Sequence, residues 1–439
     1  MRKLLLFLPG LVLAAGAFLT ADTSAQEPAP TAGTLLAGEL PGIFGGAIGP
    51  DGALYMPQGG TGGDTVVETP DGPVNVGLTG RIARIDSTGA VTTAFDGIAS
   101  VDFGDGAGSG VVDVVFIGAS MYFMTAGGGE PFGLEDWPVG IYRANANGTA
   151  TLIADLGAYA LANPSETQEI PTGNPFGLAT RGGAFLVTDG NANRLLNVTT
   201  TGVITTVSQF DNVVPTGVVS AASGPIYVTF YSPAPHTAGS SSLVTIDAAT
   251  GAVTTVDTGT ELIGVAFSDG QVYVVSMGDE PIDPEGPPAQ PFTGTLYRLV
   301  GGQLVPVATG FMLPVSLTIG NNTAYIATLT GEVWRVQNLS LLQEITPTPT
   351  TVPTSTPAST ETPVATETTA PATATATATT PATATAPATA TPTAVAPGPP
   401  ATGSGIESGG TNWFLVWAAV SAFALAGSSV AASGLRRKQ

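Results

Sequence analysis

Asn174, Asp189 and Asn193 supply the oxygen donors best spaced in this chain to hold a ligand. Asn174 precedes an apolar run, Asp189 closes a strand-like stretch, and Asn193 follows in the next turn. Amide and carboxylate oxygens suit Ca²⁺, and Asp189 would be the metal carboxylate. The pattern Asp189-x-Asn191-x-Asn193 opens many calcium loops. However, Arg194 stands where such a loop needs Gly, and Thr200 where it needs a bidentate Glu. The competing reading is that these side chains cap tight turns through their own backbone.

Composition closes other chemistries. There is no Cys, so neither a thiol nucleophile nor a disulfide framework is available. Lys occurs only as Lys3 and Lys438, which removes Schiff-base and phosphate-loop lysines from the body of the chain. The single histidine, His236, sits in a Ser/Pro/Gly-rich loop with no nucleophile elbow. It supports neither a Ser-His-Asp triad nor a His-rich zinc site. The glycine-rich run Gly104–Gly110 follows no strand–helix pattern and reads as a connector. The acidic residues Asp279, Glu280, Asp283 and Glu285 read as a solvated loop, with loose cation binding as the alternative.

The two ends of the chain carry addresses. Arg2 and Lys3 precede the apolar stretch Leu4–Ala21, and Thr23-Ser24-Ala25 forms a small-residue cleavage site, so residues 1–25 read as a signal peptide. Trp413–Leu435 carries no charge and is long enough to span a bilayer as a helix. Arg436, Arg437 and Lys438 follow it and place residues 436–439 in the cytoplasm. Residues 399–403 resemble a sortase sorting signal of the L-P-x-T-G kind, with cleavage between Thr402 and Gly403, although Pro399 stands where that signal has Leu. A plain transmembrane anchor is the other reading. Both put the body of the chain outside the cell, at the envelope.

Of twelve Lys and Arg, five lie in those two ends, leaving seven arginines against 32 acidic residues once Asp22 is set aside, a charge of −25. Such a surface repels nucleic acid. It attracts divalent cations.

Residues 346–400 are almost entirely Thr, Pro, Ala and Val, without an aromatic residue, and read as a disordered stalk. Residues 33–340 are different. A turn followed by a Tyr-centred strand recurs six times, at Tyr55, Tyr122, Leu186 in place of Tyr, Tyr227, Tyr273 and Tyr325. An apolar run precedes each copy and an alternating strand follows it. In five copies a fourth, Thr/Val-rich strand comes next. Four strands per repeat is the signature of a propeller blade. The fold class is therefore all-β: a six-bladed β-propeller. The sixth copy lacks its fourth strand, and residues 34–40 are expected to supply it from the N-terminus. A seventh, irregular blade within 58–80 or 127–138 is the alternative. Asp113 is expected to face the channel and to be satisfied by buried water.

The propeller region resembles the ScyD/ScyE family, within the broad TolB-like, NHL and SMP-30-like group. The matching stretches include Gly49-Pro-Asp-Gly-Ala-Leu-Tyr55, Asn174-Pro-Phe-Gly-Leu178, Val187-Thr-Asp-Gly-Asn-Ala-Asn193 and Val214-Pro-Thr-Gly217. The resemblance implies the fold far more than an activity. SMP-30-like hydrolases hold a divalent metal with a Glu/Asn/Asp set at the position of Asn174, Asp189 and Asn193. Two functions follow as expectations. The first is a non-catalytic binding or scaffold domain for an extracellular ligand or envelope component. The alternative is a Ca²⁺-dependent SMP-30-like hydrolase or lactonase. An accessory role beside pigment or secondary-metabolite enzymes is a third, by family analogy. Long insertions at 58–79, 127–138, 157–173, 231–240 and 278–293 fall on one face, where a site is expected.

Overall fold

The repeat read in the sequence becomes six antiparallel sheets in the computed structural model, which describes residues 30–345 apart from 70–71, 105–107, 166–172, 222, 234–235, 237–238 and 283–287. Blade 1 is built from Ala47–Ile48, Leu54–Gln58, Gly72–Ile85 and Val91–Asp102. Blade 2 is Val111–Ile117, Ser120–Thr125, Gly140–Ala144 and Ala150–Asp155. Blade 3 is Pro175–Arg181, Ala184–Asp189, Arg194–Val198 and Ile204–Gln209. Blade 4 is Val214–Ser220, Ile226–Tyr231, Ser241–Ile246 and Val253–Gly259. Blade 5 is Leu262–Ser268, Gln271–Ser276, Gly294–Val300 and Gln303–Phe311. Blade 6 is Pro314–Gly320, Thr323–Thr328 and Val333–Gln337, completed by Thr34–Ala37. The first strands of successive blades touch, from blade 1 round to blade 6 and back.

The closure expected of the N-terminal segment is present. Thr34 pairs with Arg335, Leu35 with Trp334 and Ala37 with Val333. Closing a sheet on itself leaves no open seam for another strand to join. The region weighed as a seventh blade is an arm on blade 1: Thr65–Thr69 pairs with the upper half of Gly72–Ile85, with Val67 opposite Val74. Val74, Val76 and Val101 form its small core, with Phe132 and Leu134 against them.

Both ends of the described chain are fastened to the outer strand of blade 5. The Thr31 amide donates to the Thr309 carbonyl at 2.9 Å, and the Ile345 amide to the Pro306 carbonyl at 2.8 Å. Arg298 also lies 3.6 Å from Glu344.

Blades stack through their apolar faces. The Tyr122 and Phe185 rings sit 5.0 Å apart between blades 2 and 3, and Phe210 and Phe230 4.8 Å apart between blades 3 and 4. Such aromatic pairs add about 0.5–1.5 kcal/mol beyond their burial.

The innermost ring is tighter still. Two residues before the first-strand partner of each Tyr-centred position stand Gly45, Asp113, Gly177, Gly217, Gly264 and Ser316. A Cβ on Gly177 would meet the Thr216 carbonyl oxygen at 2.5 Å, and one on Gly217 the Val265 nitrogen at 2.8 Å. Neighbouring backbones therefore approach too closely for a side chain at these positions. Ser316 and Asp113 instead use their side chains to bond the next blade. Ser316 Oγ donates to the Gly45 carbonyl at 3.0 Å.

No helix among the described residues is long and apolar enough to cross a membrane. The signal peptide (1–25), the stalk (346–400), the sorting-signal residues Thr402 and Gly403, the segment 413–435 and the basic tail lie outside the described residues.

Candidate functional site

Antiparallel blades put first-to-second and third-to-fourth turns on one face, and second-to-third and blade-to-blade connections on the other. The first face is closed by short turns such as 118–119, 182–183, 269–270 and 301–302. The second carries the blade 1 arm, a 3₁₀ turn at Glu130–Phe132, the helix Leu156–Ala162 and the connections 232–240 and 277–293. Buried carboxylates lying toward this long-loop face include Asp113, Asp189 and Glu261.

Asp189 ends the second strand of blade 3. Asn174 meets it through its backbone amide, and Asn193 follows in the next turn. The Asn174 amide donates to Asp189 Oδ1 at 2.9 Å, and the Ala192 amide to the same oxygen at 3.3 Å. Asn193 is buried in the left-handed region, φ 50°, and its carbonyl accepts from the Phe210 amide at 2.7 Å. The turn-capping reading describes this arrangement. Asp189 Oδ2 is held by Arg194, through Nε at 3.1 Å and Nη2 at 3.0 Å. Arg194 in turn donates from Nη1 to the Asn163 carbonyl at 2.7 Å and lies over the Tyr159 ring. The guanidinium thus pins the helix Leu156–Ala162 to blade 3. A Ca²⁺ ion at Asp189 would have to displace Arg194, so the residues as placed do not fit the ion. Among the described residues no three of His, Asp and Glu come together as metal ligands.

Asp113 occupies the ring position that is glycine in four other blades. Its Oδ1 accepts from the Gly46 amide of blade 1 at 2.9 Å and from the Val114 amide at 2.8 Å. Its Oδ2 accepts from the Leu178 amide of blade 3 at 2.7 Å. Backbone amides, rather than the buried water expected from sequence, satisfy this carboxylate, and they join three blades. Burial without a cationic partner pushes its pKa up to about 7, although the three amides pull the other way.

The third carboxylate was missed from sequence. Glu261 lies between the last strand of blade 4 and the first of blade 5, is 0% exposed and has φ 46°. Its Oε1 is 3.2 Å from His236 Nδ1, which donates to it when Nδ1 carries a proton. Tyr231 meets the His236 ring edge-on, with centroids 5.6 Å apart. The Tyr231 hydroxyl donates to the Pro288 carbonyl at 3.0 Å. Burial first, and then the nearby charge of Glu261, hold the Tyr231 hydroxyl well above its ordinary pKa. The signal for Glu261 was present in the repeat. The Gly190 amide donates to the Asn174 carbonyl, and the Met277 amide donates to the Glu261 carbonyl in the same way two blades further round the ring. Glu261 is therefore blade 5's counterpart of Asn174.

No protein-family model matches the chain, and neither does any curated protein. Solved structures of propeller-type proteins are similar in fold. A glucose dehydrogenase-like protein from Thermus thermophilus is 14% identical, with 69% of this chain and 98% of that one covered and a TM-score of 0.46. A gluconolactonase from Xanthomonas campestris is 16% identical, covering 69% and 87%, with a TM-score of 0.44. The PQQ-bound aldose sugar dehydrogenase of Streptomyces coelicolor is 12% identical, covering 70% and 99%, with a TM-score of 0.43. The propeller itself rests on the sheet order above.

Proposed function

We propose that this chain is a non-catalytic binding or scaffold domain displayed at the cell envelope, taking an extracellular ligand or envelope component on its long-loop face. The supporting observation is the asymmetry of the two faces. Val66 is 61% exposed, Leu161 61% and Ile282 86%, and all three sit on long-loop elements. Exposed apolar side chains on loops over a rigid scaffold are what an interaction surface needs. The ScyD/ScyE resemblance, export by residues 1–25, and anchoring through 413–435, with or without sortase action at Thr402, belong to this proposal. The hydrolase alternative needs a cation at Asp189, where Arg194 already sits, so it is the weaker reading.

The test is co-sedimentation of the full-length chain with envelope fractions. The triple variant Val66→Ser/Leu161→Ser/Ile282→Ser should fail to sediment. Val203→Ser/Val253→Ser/Val300→Ser, in the turns and strand ends of the other face, should behave as wild type. Equal sedimentation of both triples would refute the assignment of the face, and failure of the wild type to sediment would refute an envelope partner. Turnover of lactones that depends on Ca²⁺ and on Asp189 would restore the hydrolase.

A further inference from the structure

The outer strand of every blade is met by another part of the chain. Gly89, Gly202 and Gly251, each in the third-to-fourth turn of the following blade, approach the carbonyls of Leu36, Ile153 and Val207 too closely to carry a Cβ. Asp257 of blade 4 accepts from the Leu304 amide of blade 5 at 2.7 Å. In blade 1, Val101 and Ser109 exchange backbone bonds, each at 2.8 Å, and blade 5 holds Thr31 and Ile345. Thr65–Thr69 has no such guard. It ends the sheet of the blade 1 arm, and among the described residues its backbone is bonded only to the strand Gly72–Ile85. The amides and carbonyls along the outer side of such an edge are a template for another strand.

The side chains of this strand define what an added one must carry. Val67 packs on the arm's core of Val74, Val76 and Val101. Successive residues of a strand point to opposite faces, so Val66 and Glu68, both exposed, point away from that core. An added strand would place alternate residues beside the valine core and beside Glu68. The first set must be apolar. The second is best cationic, because opposite charges across neighbouring strands attract. The surroundings agree. Residues 59–80 and 100–138 contain no Lys or Arg, while Asp64, Glu68, Glu130, Glu135 and Asp136 are exposed. A second copy of the chain would bring the same acidic charge to this edge. Residues 346–400 would bring Glu361, Glu367 and many prolines, which have no amide to donate.

We infer that Thr65–Thr69 is a strand-addition site for another polypeptide, and that the segment it takes is extended, with Lys or Arg alternating with apolar residues. Backbone pairing supplies the attachment, and Glu68 with the valine core supplies the selection. The site rests on the envelope-binding proposal's choice of face and gives the partner's chemistry there. Loss of sedimentation with peptide binding intact would strike the envelope partner alone. Loss of peptide binding with sedimentation intact would strike this site alone.

The probe is a capped, fluorescent peptide of alternating Lys and Val, titrated with the full-length chain and followed by anisotropy. Saturable binding is expected. The same peptide with all its amides N-methylated should not bind, because it cannot donate to the edge, and neither should a Glu/Val peptide. Glu68→Lys should weaken the Lys/Val peptide by about fivefold and strengthen the Glu/Val peptide. Asp211→Lys, an equal charge change in an exposed connection of the same face, should do neither. Hydrogen exchange of the wild type, which needs no variant to fold, should slow across 65–69 when the Lys/Val peptide is bound. Absence of binding would overturn the proposal. So would equal binding of the N-methylated peptide, equal weakening by Asp211→Lys, or slowed exchange confined to other segments.

Discussion

Three carboxylates in the tight turns and three buried toward the long-loop face behave in opposite ways. On the tight-turn face Asp51, Asp86 and Asp247 stand in exposed or half-exposed turns. Asp86 Oδ1 accepts from the Thr88 and Ala90 amides at 2.8 and 3.0 Å, Asp247 Oδ1 from the Ala249 and Thr250 amides at 3.0 and 2.8 Å, and Asp51 Oδ2 from Arg84 Nε at 2.7 Å. Their neighbours donate to the charged form, and all three pKa values are lowered. Asp86 and Asp247 are local devices that close the turns in which they stand, while Asp51 caps its own turn at the Ala53 amide and also holds Arg84 on the third strand of the same blade. Toward the long-loop face Asp113, Asp189 and Glu261 are buried, and each ties separate elements together: Asp113 reaches blades 1 and 3, Asp189 holds the Arg194 that pins the helix Leu156–Ala162, and Glu261 meets the 232–240 connection at His236. A carboxylate at the first face fixes a turn. A carboxylate at the second fixes one blade, or one loop, to another.

The largest effect expected from this contrast is at Asp189. Asp189→Ala leaves Arg194 buried and unpaired, and removing one partner of such a pair costs about 3–5 kcal/mol. Urea unfolding of the variant should show that loss, with the helix Leu156–Ala162 losing hydrogen-exchange protection first. Wild-type stability in Asp189→Ala would mean that the Arg194 pair ties nothing together.

Asp113 comes next, and here pH is the lever. The folded pKa is about 7 against an ordinary value of 3.8, so the native state keeps a proton that the unfolded chain releases between those values. The stability from this group is fully present below pH 3.8 and is lost as pH rises through 7. The slope in that window is about 1.4 kcal/mol per pH unit. The difference between wild type and Asp113→Asn, followed by urea melts across this range, should carry that slope. The lowered carboxylates act in the reverse sense: their stability is present above their ordinary pKa and is lost as pH falls below it. A flat difference curve would show that the three amides, and not burial, set the charge of Asp113.

Gly177→Ala tests the inner ring from the backbone side. Its new Cβ would sit 2.5 Å from the Thr216 oxygen, and overpacking of this kind costs about 1–3 kcal/mol. The smallest effect belongs to the exposed turns. Asp86→Ala should leave the Tm within the scatter of replicate melts, and a large drop there would erase the distinction between the faces.

Much of this architecture was legible in the sequence because blade strands are local. The Tyr-centred repeat, the apolar first strands and the missing fourth strand of the sixth copy are all written within short windows, and Thr34–Ala37 completes blade 6 as the count required. The blade 1 arm escaped because Thr65–Thr69 and the upper half of Gly72–Ile85 look like an insertion until they are paired. The site was harder to read for a physical reason. Asp113 meets Gly46 and Leu178 across 67 and 65 residues, and His236 meets Glu261 across 25, so no local pattern holds both partners. Asn174, Asp189 and Asn193 were found together because they share one blade. The bond that claims Asp189 comes from Arg194, whose position was noted in the sequence only as an obstacle to a calcium loop.

The fastening of the chain ends to blade 5 has a mechanical consequence. Tension entering the domain from the C-terminal side arrives at Ile345 and first strips its bond to Pro306 and the contact between Arg298 and Glu344. The load then reaches Val333–Gln337, which is not an edge: it lies between Thr323–Thr328 and Thr34–Ala37. To come away it must break two ladders together. The N-terminal strand therefore acts as a clasp, and a pull on the tail is resisted by a strand gripped from both sides.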